Sequence, residues 1–336
     1  KIKNKFNFEK INEIIDSFKK YTVLTVGESI IDEYVFCEVL GKSGKEPIIT
    51  LKQINSEKYL GGSLAIANHL SDFAKKISLV TYLGEKKDYN QFINKKLKSN
   101  IYFNSIAKKN SPTIVKKRYV DYISKNKFIG VYSLDDNSIS QNEENKIISI
   151  LKSKIKNADI VIVSDFGHGL ITKKIAQYIC KTSKFLSVNA QINSSNISYN
   201  SISKYSKVDS LIINENELRH YLRDRDSDVK ILLKKLIREK NLKNIIVTRG
   251  KIGAMHYNYK SKQFVECPAF ANKIIDKIGS GDAMLSLISL CLKLKLEINL
   301  SLFLGSIAAA QSVESIGNSL SVSKKQMLKE VDHMLK

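Results

Sequence analysis

The chain has 336 residues, of which 43% are hydrophobic and 26% are charged, the composition of a globular protein with a sizeable core. Its apolar stretches are too short or too interrupted to span a bilayer, and the charged residues 1–20 lack the apolar run of a signal peptide, so we expect a cytoplasmic protein with no membrane partner. The net charge is +22, but only six of the 55 basic residues are arginine and no nucleic-acid motif accompanies them, so we expect no nucleic-acid partner.

The predicted elements begin with an amphipathic helix within residues 1–20, where apolar residues recur at helical spacing from Phe8 to Phe18. Buried strands are predicted at 23–27, 77–82, 160–164, 185–188, 211–213 and 245–248. Helical patterns lie at 63–74, 88–98, 143–156, 172–182, 215–222, 228–240, 282–294 and 301–314. This alternation predicts an α/β fold, a three-layer α/β/α sandwich with a mainly parallel central sheet, as one domain over residues 21–334.

Two regions depart from this rhythm. Residues 34–60 and 112–134 alternate between apolar and polar positions in the manner of antiparallel strands. They predict a small β-sheet inserted near the start of the domain. A lid over a ligand site and an edge for dimer formation are both open interpretations, and one sheet can serve both.

The cysteines (Cys37, Cys180, Cys267 and Cys291) have neither metal-ligand nor redox spacing, and we expect them to be reduced core residues.

The sharpest local signal is the segment 276–282, Asp-Lys-Ile-Gly-Ser-Gly-Asp, directly before the predicted helix at 282–294. A Gly-Ser-Gly turn that opens a helix presents backbone N–H groups and the positive end of the helix dipole to an anion such as a phosphoryl group. Asp282 at the helix start can accept a proton from an attacking hydroxyl. An ordinary helix cap is the alternative.

Other candidate sites follow predicted strands, where open α/β sheets bind their ligands. Asn214 and Glu217 could hold a hydrated Mg²⁺, or simply cap the helix at 215–222. The pair Gly61–Gly62 and the turn 248–253 either let a ligand approach the backbone or are plain connections. His168 lies in a loop, where a surface position is the alternative to a catalytic one. No P-loop, HExxH, GxSxG or CxxC motif is present.

In this order the segments resemble the ribokinase (PfkB) family of carbohydrate kinases, from about Val23 to the final helix. The resemblance rests on 27–32, the Gly61–Gly62 pair, 214–217, 248–253 and 276–282. Within that family the chain looks most like the kinase domain of bacterial D-glycero-D-manno-heptose-7-phosphate kinases, because of the segments 28–34, 42–48, 164–169 and 314–318. Those enzymes are often fused to a nucleotidyltransferase, for which we expect no room in this chain.

The resemblance implies a ribokinase-like fold, ATP and Mg²⁺ as cofactors, and a role for each matching position. Asp282 would be the general base, and the amides of Gly279, Ser280 and Gly281 would bind the γ-phosphate. The expected substrate-binding residues are Asp32, Gly61, Gly62, Arg118, Asp165, His168 and Asn189. The expected ATP-site and magnesium residues are Asn214, Glu217, Thr248, Gly250, Gly253 and Asn318, with Glu217 nearest the metal. Segments 34–60 and 112–134 would close over the sugar and pair two subunits into a homodimer.

The chain departs from the family pattern at three points. Lys277 stands where threonine is usual, Leu64 or Ala65 occupies the place of an asparagine, and residues 189–191 read Asn-Ala-Gln where the heptose kinases have Asp-Pro-Lys. These changes bear on the substrate more than on the fold.

The function that we expect is ATP-dependent phosphorylation of a sugar or sugar phosphate, with a heptose-7-phosphate-like substrate for surface polysaccharide synthesis. Lys116, Lys117 and Arg118 on the predicted lid could bind a phosphate of the substrate, or face solvent. The competing hypothesis is a catalytically silent module that keeps the fold and binds nucleotide or sugar.

Overall fold

The secondary structure alternates as the sequence predicts. The computed structural model describes residues 2–192, 196, 200–240 and 242–336. The strands are β1 (Thr22–Gly27), β2 (Ser29–Lys42), β3 (Ile49–Gly62), β4 (Lys76–Gly84), β5 (Ile101–Lys108), β6 (Ile114–Asp121), β7 (Lys127–Ser133), β8 (Ile160–Asp165), β9 (Leu186–Ala190), β10 (Ser210–Asn214), β11 (Asn244–Thr248), β12 (Ala254–Asn258) and β13 (Phe264–Cys267). The α-helices are α1 (Phe8–Ser17), α2 (Ser63–Leu70), α3 (Asn90–Lys96), α4 (Gln141–Ile155), α5 (Lys173–Thr182), α6 (Glu215–Leu222), α7 (Val229–Lys240), α8 (Ser280–Lys293), α9 (Ile298–Val313) and α10 (Lys324–Leu335).

Nine strands form one large sheet in the order β13-β12-β11-β10-β9-β8-β1-β4-β5. All pairs from β11 to β5 are parallel, and β12 and β13 are antiparallel at one edge. The chain leaves β1 toward β4 and β5 on one side, and later continues from β8 toward β11 on the other. Ligands of open α/β sheets bind where the strand order diverges in this way, beyond the carboxyl ends of the strands.

The core consists of two apolar layers, one on each face of the large sheet. One layer contains buried residues of α4, α5, α6 and α7. The other contains buried residues of α1, α2, α8, α9 and α10. Strands with both faces covered are mainly apolar, as in β8, where every residue is buried and the first four are isoleucine or valine. The predicted three-layer α/β/α sandwich with a mainly parallel sheet is confirmed. Within the described residues no helix is both long and apolar enough for a membrane span.

The four remaining strands form a separate small sheet in the order β3-β2-β6-β7. The predicted inserted sheet is therefore confirmed. Its β2–β3 and β6–β7 pairs are antiparallel as expected, but β2 pairs with β6 in parallel. Since side chains alternate across a strand, one face carries the register pairs Asp32 with Lys116 and Tyr34 with Arg118, and the opposite face carries Lys117.

Candidate active site

Two cavities meet at the start of α8. The larger has a volume of about 1320 Å³ and the smaller about 320 Å³. The residues that line both are Asn214, Glu217, Thr248, Lys277, Ser280 and Gly281. Asn214 and Thr248 are the last residues of β10 and β11, and Lys277 lies in the turn before α8. The fold therefore brings the separate sequence motifs together at one edge of the large sheet.

The turn before α8 has the geometry of an anion site. Gly279 is the N-cap with a φ of 88°, and a Cβ atom there would lie 2.1 Å from Oδ1 of Asn318, so glycine is required. Helical bonding begins with the amide of Ala283, which donates to the Gly279 carbonyl at 2.9 Å. The amides of Ser280, Gly281 and Asp282 precede it and have no acceptor within the helix. Ser280 and Gly281 line both cavities, and Asp282 lines the smaller one.

Asp282 is enclosed in the wall of the smaller cavity, with 6% of its surface exposed. The side-chain amide of Gln191 donates to its Oδ1 at 3.4 Å. Burial, together with the negative charges of Asp32 and Glu217, raises the pKa of Asp282 to about 7, against the opposing effect of Lys116. A carboxyl group with such a pKa can accept a proton near neutral pH.

The expected sugar-binding residues Asp32, Gly62, Arg118 and Asn189 line the smaller cavity. Gly61 lies behind Asp32, since a Cβ atom on Gly61 would be 2.2 Å from Asp32 Oδ2. Gly61 therefore makes room for the Asp32 carboxylate. Asn189 donates from Nδ2 to the Ile212 carbonyl at 2.9 Å, and its buried Oδ1 has no hydrogen-bond partner among the described residues. That oxygen is available to a ligand hydroxyl.

Arg118 is less available to a phosphate than the sequence predicts. Its Nη1 donates to Asp32 Oδ1 at 2.5 Å, so its charge is already paired. Lys117, on the opposite face, lies 3.7 Å from Glu33. For Lys116, which lines the cavity, no ion pair is found in the described part of the chain, and burial lowers the pKa of its ammonium group. The sequence alone does not distinguish Lys116 from Lys117 and Arg118. The strand register does, because it places Lys117 on the opposite face and leaves Lys116 facing the cavity without an ion-pair partner among the described residues.

Asp165 and His168 do not line either cavity, contrary to their predicted role as substrate contacts. Asp165 is fully buried and accepts hydrogen bonds from the Tyr205 hydroxyl at 2.7 Å and the Gly167 amide at 3.2 Å, with Lys204 2.7 Å away. His168 is also fully buried, and its Nδ1 lies 2.5 Å from Asp136. These groups hold the loop after β8 in place, and only Phe166 of that loop reaches the smaller cavity.

Beside the larger cavity, Asn214 and Glu217 form a capping box at the start of α6. Glu217 N–H donates to Asn214 Oδ1 at 2.8 Å, and Asn214 N–H donates to Glu217 Oε2 at 2.9 Å. The capping interpretation is therefore realised, although both residues also line the cavities. Of the other residues expected at an ATP site, Thr248, Gly250 and Gly253 border the larger cavity, and Asn318 borders the smaller one next to Gly279.

The carboxylate of Glu217 has limited capacity to bind a metal directly. Its second oxygen accepts a bond from the Ile192 amide at 3.3 Å, and burial raises the pKa of Glu217 to about 7. Among the described residues no group of three or more His, Cys, Asp or Glu side chains could hold a metal ion. Mg²⁺ usually keeps several waters and takes phosphate oxygens as ligands, so one carboxylate beside a phosphate site fits it without a protein cage.

The small sheet is bound to the α8 turn through Asp276. Its carboxylate accepts hydrogen bonds from the Tyr34 hydroxyl and from Lys127 Nζ, both at 2.6 Å, and from the amides of Ile278 and Gly317, both at 3.1 Å. Burial would raise the pKa of Asp276, but Lys127 and Tyr34 hold it below its usual value. The sequence places Asp276 in the motif, but it does not indicate these partners.

The chain resembles known proteins over most of its length. The sequence pattern of the pfkB family carbohydrate kinases matches residues 20–325. A bifunctional protein HldE of Campylobacter jejuni is 27% identical over 311 residues, which are 91% of this chain and 64% of that protein. The HldE of Aliarcobacter butzleri is 25% identical, over 90% of this chain and 62% of that protein. The chain thus spans less than two thirds of the length of these curated relatives.

Solved structures share the fold at lower identity. The Arabidopsis thaliana ribokinase complexed with ribose and ATP superposes with a TM-score of 0.68 at 18% identity, over 94% of this chain and 99% of that one. The Escherichia coli phosphofructokinase-2 in complex with substrates and products gives 0.72 at 14% identity, with coverage of 94% and 99%. These likenesses concern the arrangement of helices and strands.

Proposed function

The chain belongs to the pfkB family of carbohydrate kinases, and from that premise we propose that it transfers the γ-phosphoryl group of ATP to a hydroxyl of a sugar phosphate of the heptose-7-phosphate type. Surface polysaccharide synthesis is the pathway that the resemblance to heptose kinases implies, and the cytoplasm is the compartment. The observation that carries the kinase assignment is Asp282 in the smaller cavity, beside the first amides of α8.

In the proposed reaction the sugar hydroxyl lies in the smaller cavity and the nucleotide in the larger one. Asp282 accepts the proton of the hydroxyl as the new oxygen–phosphorus bond forms and the bond to the β-phosphate oxygen breaks, so that ADP leaves. The amides of Gly279, Ser280 and Gly281 stabilise the negative charge on the transferred group. Positioning supplies most of the remaining catalysis.

Mg²⁺, when bound, would neutralise phosphate charge in this reaction. We assign Glu217 to it through bound water, because both carboxylate oxygens already accept backbone N–H bonds. Asn214 keeps Glu217 in this position by means of the capping box.

Lys116 is the residue that we assign to the phosphate already present on the substrate. It lies on the cavity face of the small sheet, and burial lowers its pKa, as expected of an ammonium group that lacks sufficient negative partners. An anionic substrate would supply the missing charge. Asp32, held by Arg118, and Asn189 Oδ1 remain for sugar hydroxyls.

We further propose that two copies associate through the outer face of the small sheet, which is the face that carries Lys117, opposite Lys116 and Arg118. That face and its edges expose large apolar side chains, including Ile49 at 68%, Ile129 at 57% and Val131 at 51% of their surfaces. Exposed apolar groups concentrated on one sheet are typical of a protein contact.

A panel assay tests the kinase proposal. The protein is mixed with ATP, Mg²⁺ and a range of sugars and sugar phosphates, and ADP release is measured. We expect release with a heptose phosphate, and a loss of about 100- to 10,000-fold in kcat for Asp282→Asn, the usual size of a general-base contribution. The variant should remain folded, since the change removes a buried charge. An Asp282→Asn enzyme as fast as wild type would contradict the assignment. ATP binding without ADP release from any acceptor would favour the silent binding module.

A further inference from the structure

Among the described residues that line both cavities, Lys277 alone carries a positive charge. The others are Asn214, Glu217, Thr248, Ser280 and Gly281. In the proposed reaction the γ-phosphoryl group passes from the larger cavity to the smaller one, so it crosses the junction that these residues border. A phosphoryl group in transfer carries negative charge on its oxygens. Lys277 therefore lies beside the path of the group that moves.

The ammonium group of Lys277 is not engaged by another protein group. Within the part of the chain that the structure describes, no carboxylate lies at ion-pair distance from it, and it donates no side-chain hydrogen bond. The neighbouring carboxylate of Asp276 is turned toward the small sheet, where it accepts from Tyr34 and Lys127. The charge of Lys277 is thus available to a ligand.

The other lysines and arginines of the described cavity walls differ from Lys277 in position. Arg118 and Lys116 line the smaller cavity alone, and Arg249 and Lys251 line the larger one alone. The two arginines are also paired already, each with a carboxylate, at 2.5 Å and 3.0 Å respectively. Each of these four residues faces the site of one substrate, whereas Lys277 faces the junction between the two sites.

The backbone at Lys277 is held on both sides, although the residue itself is exposed. Asp276 Oδ1 accepts a hydrogen bond from the Ile278 amide at 3.1 Å, and the Lys277 carbonyl accepts one from the Ser280 hydroxyl at 3.2 Å. Lys277 is thereby fixed just before Gly279, the N-cap of α8. Its flexible four-carbon stem lets the ammonium group follow a phosphoryl group across the junction.

We propose that the ammonium group of Lys277 binds oxygens of the γ-phosphoryl group of ATP and stays bound to them as this group passes to the sugar hydroxyl. This inference rests on the proposed function. Lys277 adds a flexible positive charge to the fixed amides of the α8 turn and forms no covalent bond. Substrates in both cavities displace water from the junction, which strengthens the attraction between opposite charges.

Binding of two nucleotides, each with Mg²⁺, tests this inference without any sugar. The analogue AMP-PNP has a γ-phosphoryl group and ADP has none. We expect Lys277→Gln to bind AMP-PNP about 10- to 100-fold more weakly than wild type, as for the loss of one hydrogen bond to a charged group, and to bind ADP within about twofold of wild type. Isothermal titration calorimetry measures both constants. The variant should fold, because Lys277 is exposed.

The chain offers a matched control in Lys273. This lysine is also exposed and precedes the same turn, but it lines neither cavity. Lys273→Gln removes the same charge, so it should bind AMP-PNP within about twofold of wild type if the effect of Lys277 is local.

Three results would overturn the role of Lys277 alone: equal losses of AMP-PNP and ADP affinity in Lys277→Gln, no loss of either, or equal weakening by the two lysine variants. Failure of the wild-type protein to bind either nucleotide would overturn the proposed function together with this inference.

Discussion

The strands of the large sheet from β11 to β5 lie between two apolar layers, whereas the small sheet has one face over a cavity and exposes apolar side chains on the other. Consequently, the polar groups that the large sheet contributes to the site lie at its strand ends, where Asn189, Asn214 and Thr248 stand. The small sheet contributes Lys116 and Arg118 from the middle of a strand. Groups at the strand ends of the large sheet are held firmly in place, which suits the chemical step. Groups on the face of the small sheet are suited to selecting the substrate.

Asp276 joins the two regions. It is the first residue of the segment that forms the α8 turn, yet its side-chain partners Tyr34 and Lys127 belong to the small sheet. Movement of that sheet away from the cavity would leave a buried carboxylate without these donors. Such a loss is costly in free energy, because hydrogen bonds to charged groups contribute about 1.5–3 kcal/mol.

The largest predicted effect is the dependence of kcat/KM on pH, which arises from Asp282 at the start of α8 and not from the small sheet. The general base must be ionised, and the pKa of Asp282 is raised to about 7, so kcat/KM should fall as the pH drops through 7. Below its pKa the fraction of carboxylate falls about tenfold per pH unit, which gives a loss of about 100-fold between pH 8 and pH 5. The pH–rate profile of the wild-type enzyme measures it.

The control for this profile is Asp282→Asn, whose residual rate should not show this acidic decline. Stability should respond in the opposite direction. A carboxyl group whose pKa is raised by folding stabilises the folded state at low pH, and this contribution is lost as the pH rises through about 7. The Asn variant should therefore melt no lower than wild type at pH 8. A lower melting temperature would indicate that the Asp282 carboxylate is a structural group.

A smaller effect, confined to KM for the sugar substrate, is expected from substitutions on the small sheet. Lys116→Gln should raise KM for a phosphosugar by about tenfold, the consequence of losing one charge-assisted hydrogen bond, and should leave KM for ATP unchanged. Lys117→Gln, on the opposite face of β6, should change either constant by less than about twofold. Steady-state kinetics with both substrates decide the matter. Equal effects of the two lysine variants would remove the phosphate assignment.

Much of the fold and of the motif positions could be predicted from the sequence because both depend on local patterns. Apolar strands ending at Gly27, Asn214 and Thr248 indicate a parallel sheet, and parallel strands bring their carboxyl ends to one edge. The segment 276–282 indicates the start of a helix by its glycines. These signals do not require knowledge of which distant residues meet.

The partners of charged groups could not be predicted, because they depend on strand register. Arg118 is paired with Asp32 only because β2 and β6 run in parallel with Tyr34 opposite Arg118, which places both side chains on one face. Similarly, Asp165 follows a strand, as a site residue does, but Lys204 and Tyr205 from a distant segment enclose it. His69 lies within the apolar pattern of α2, but its hydrogen-bond partner, the Val322 amide, lies far along the chain.

The smallest effect on catalysis is expected from the exposed face of the small sheet. If two copies associate there, Ile129→Lys should weaken self-association by at least about tenfold, because it places a charge in an apolar contact. The turnover number should change by less than about twofold, since Ile129 lies on the face opposite Lys116 and Arg118. Sedimentation velocity measures the association.

The control is Ile231→Lys, which changes an isoleucine of α7 that is exposed to a similar degree, 58% against 57% for Ile129. If both variants remain as associated as wild type, the contact between subunits lies elsewhere. If Ile129→Lys alone dissociates and turnover collapses with it, the small sheet needs its partner to hold Asp276 and the α8 turn in place, and its two faces do not act independently.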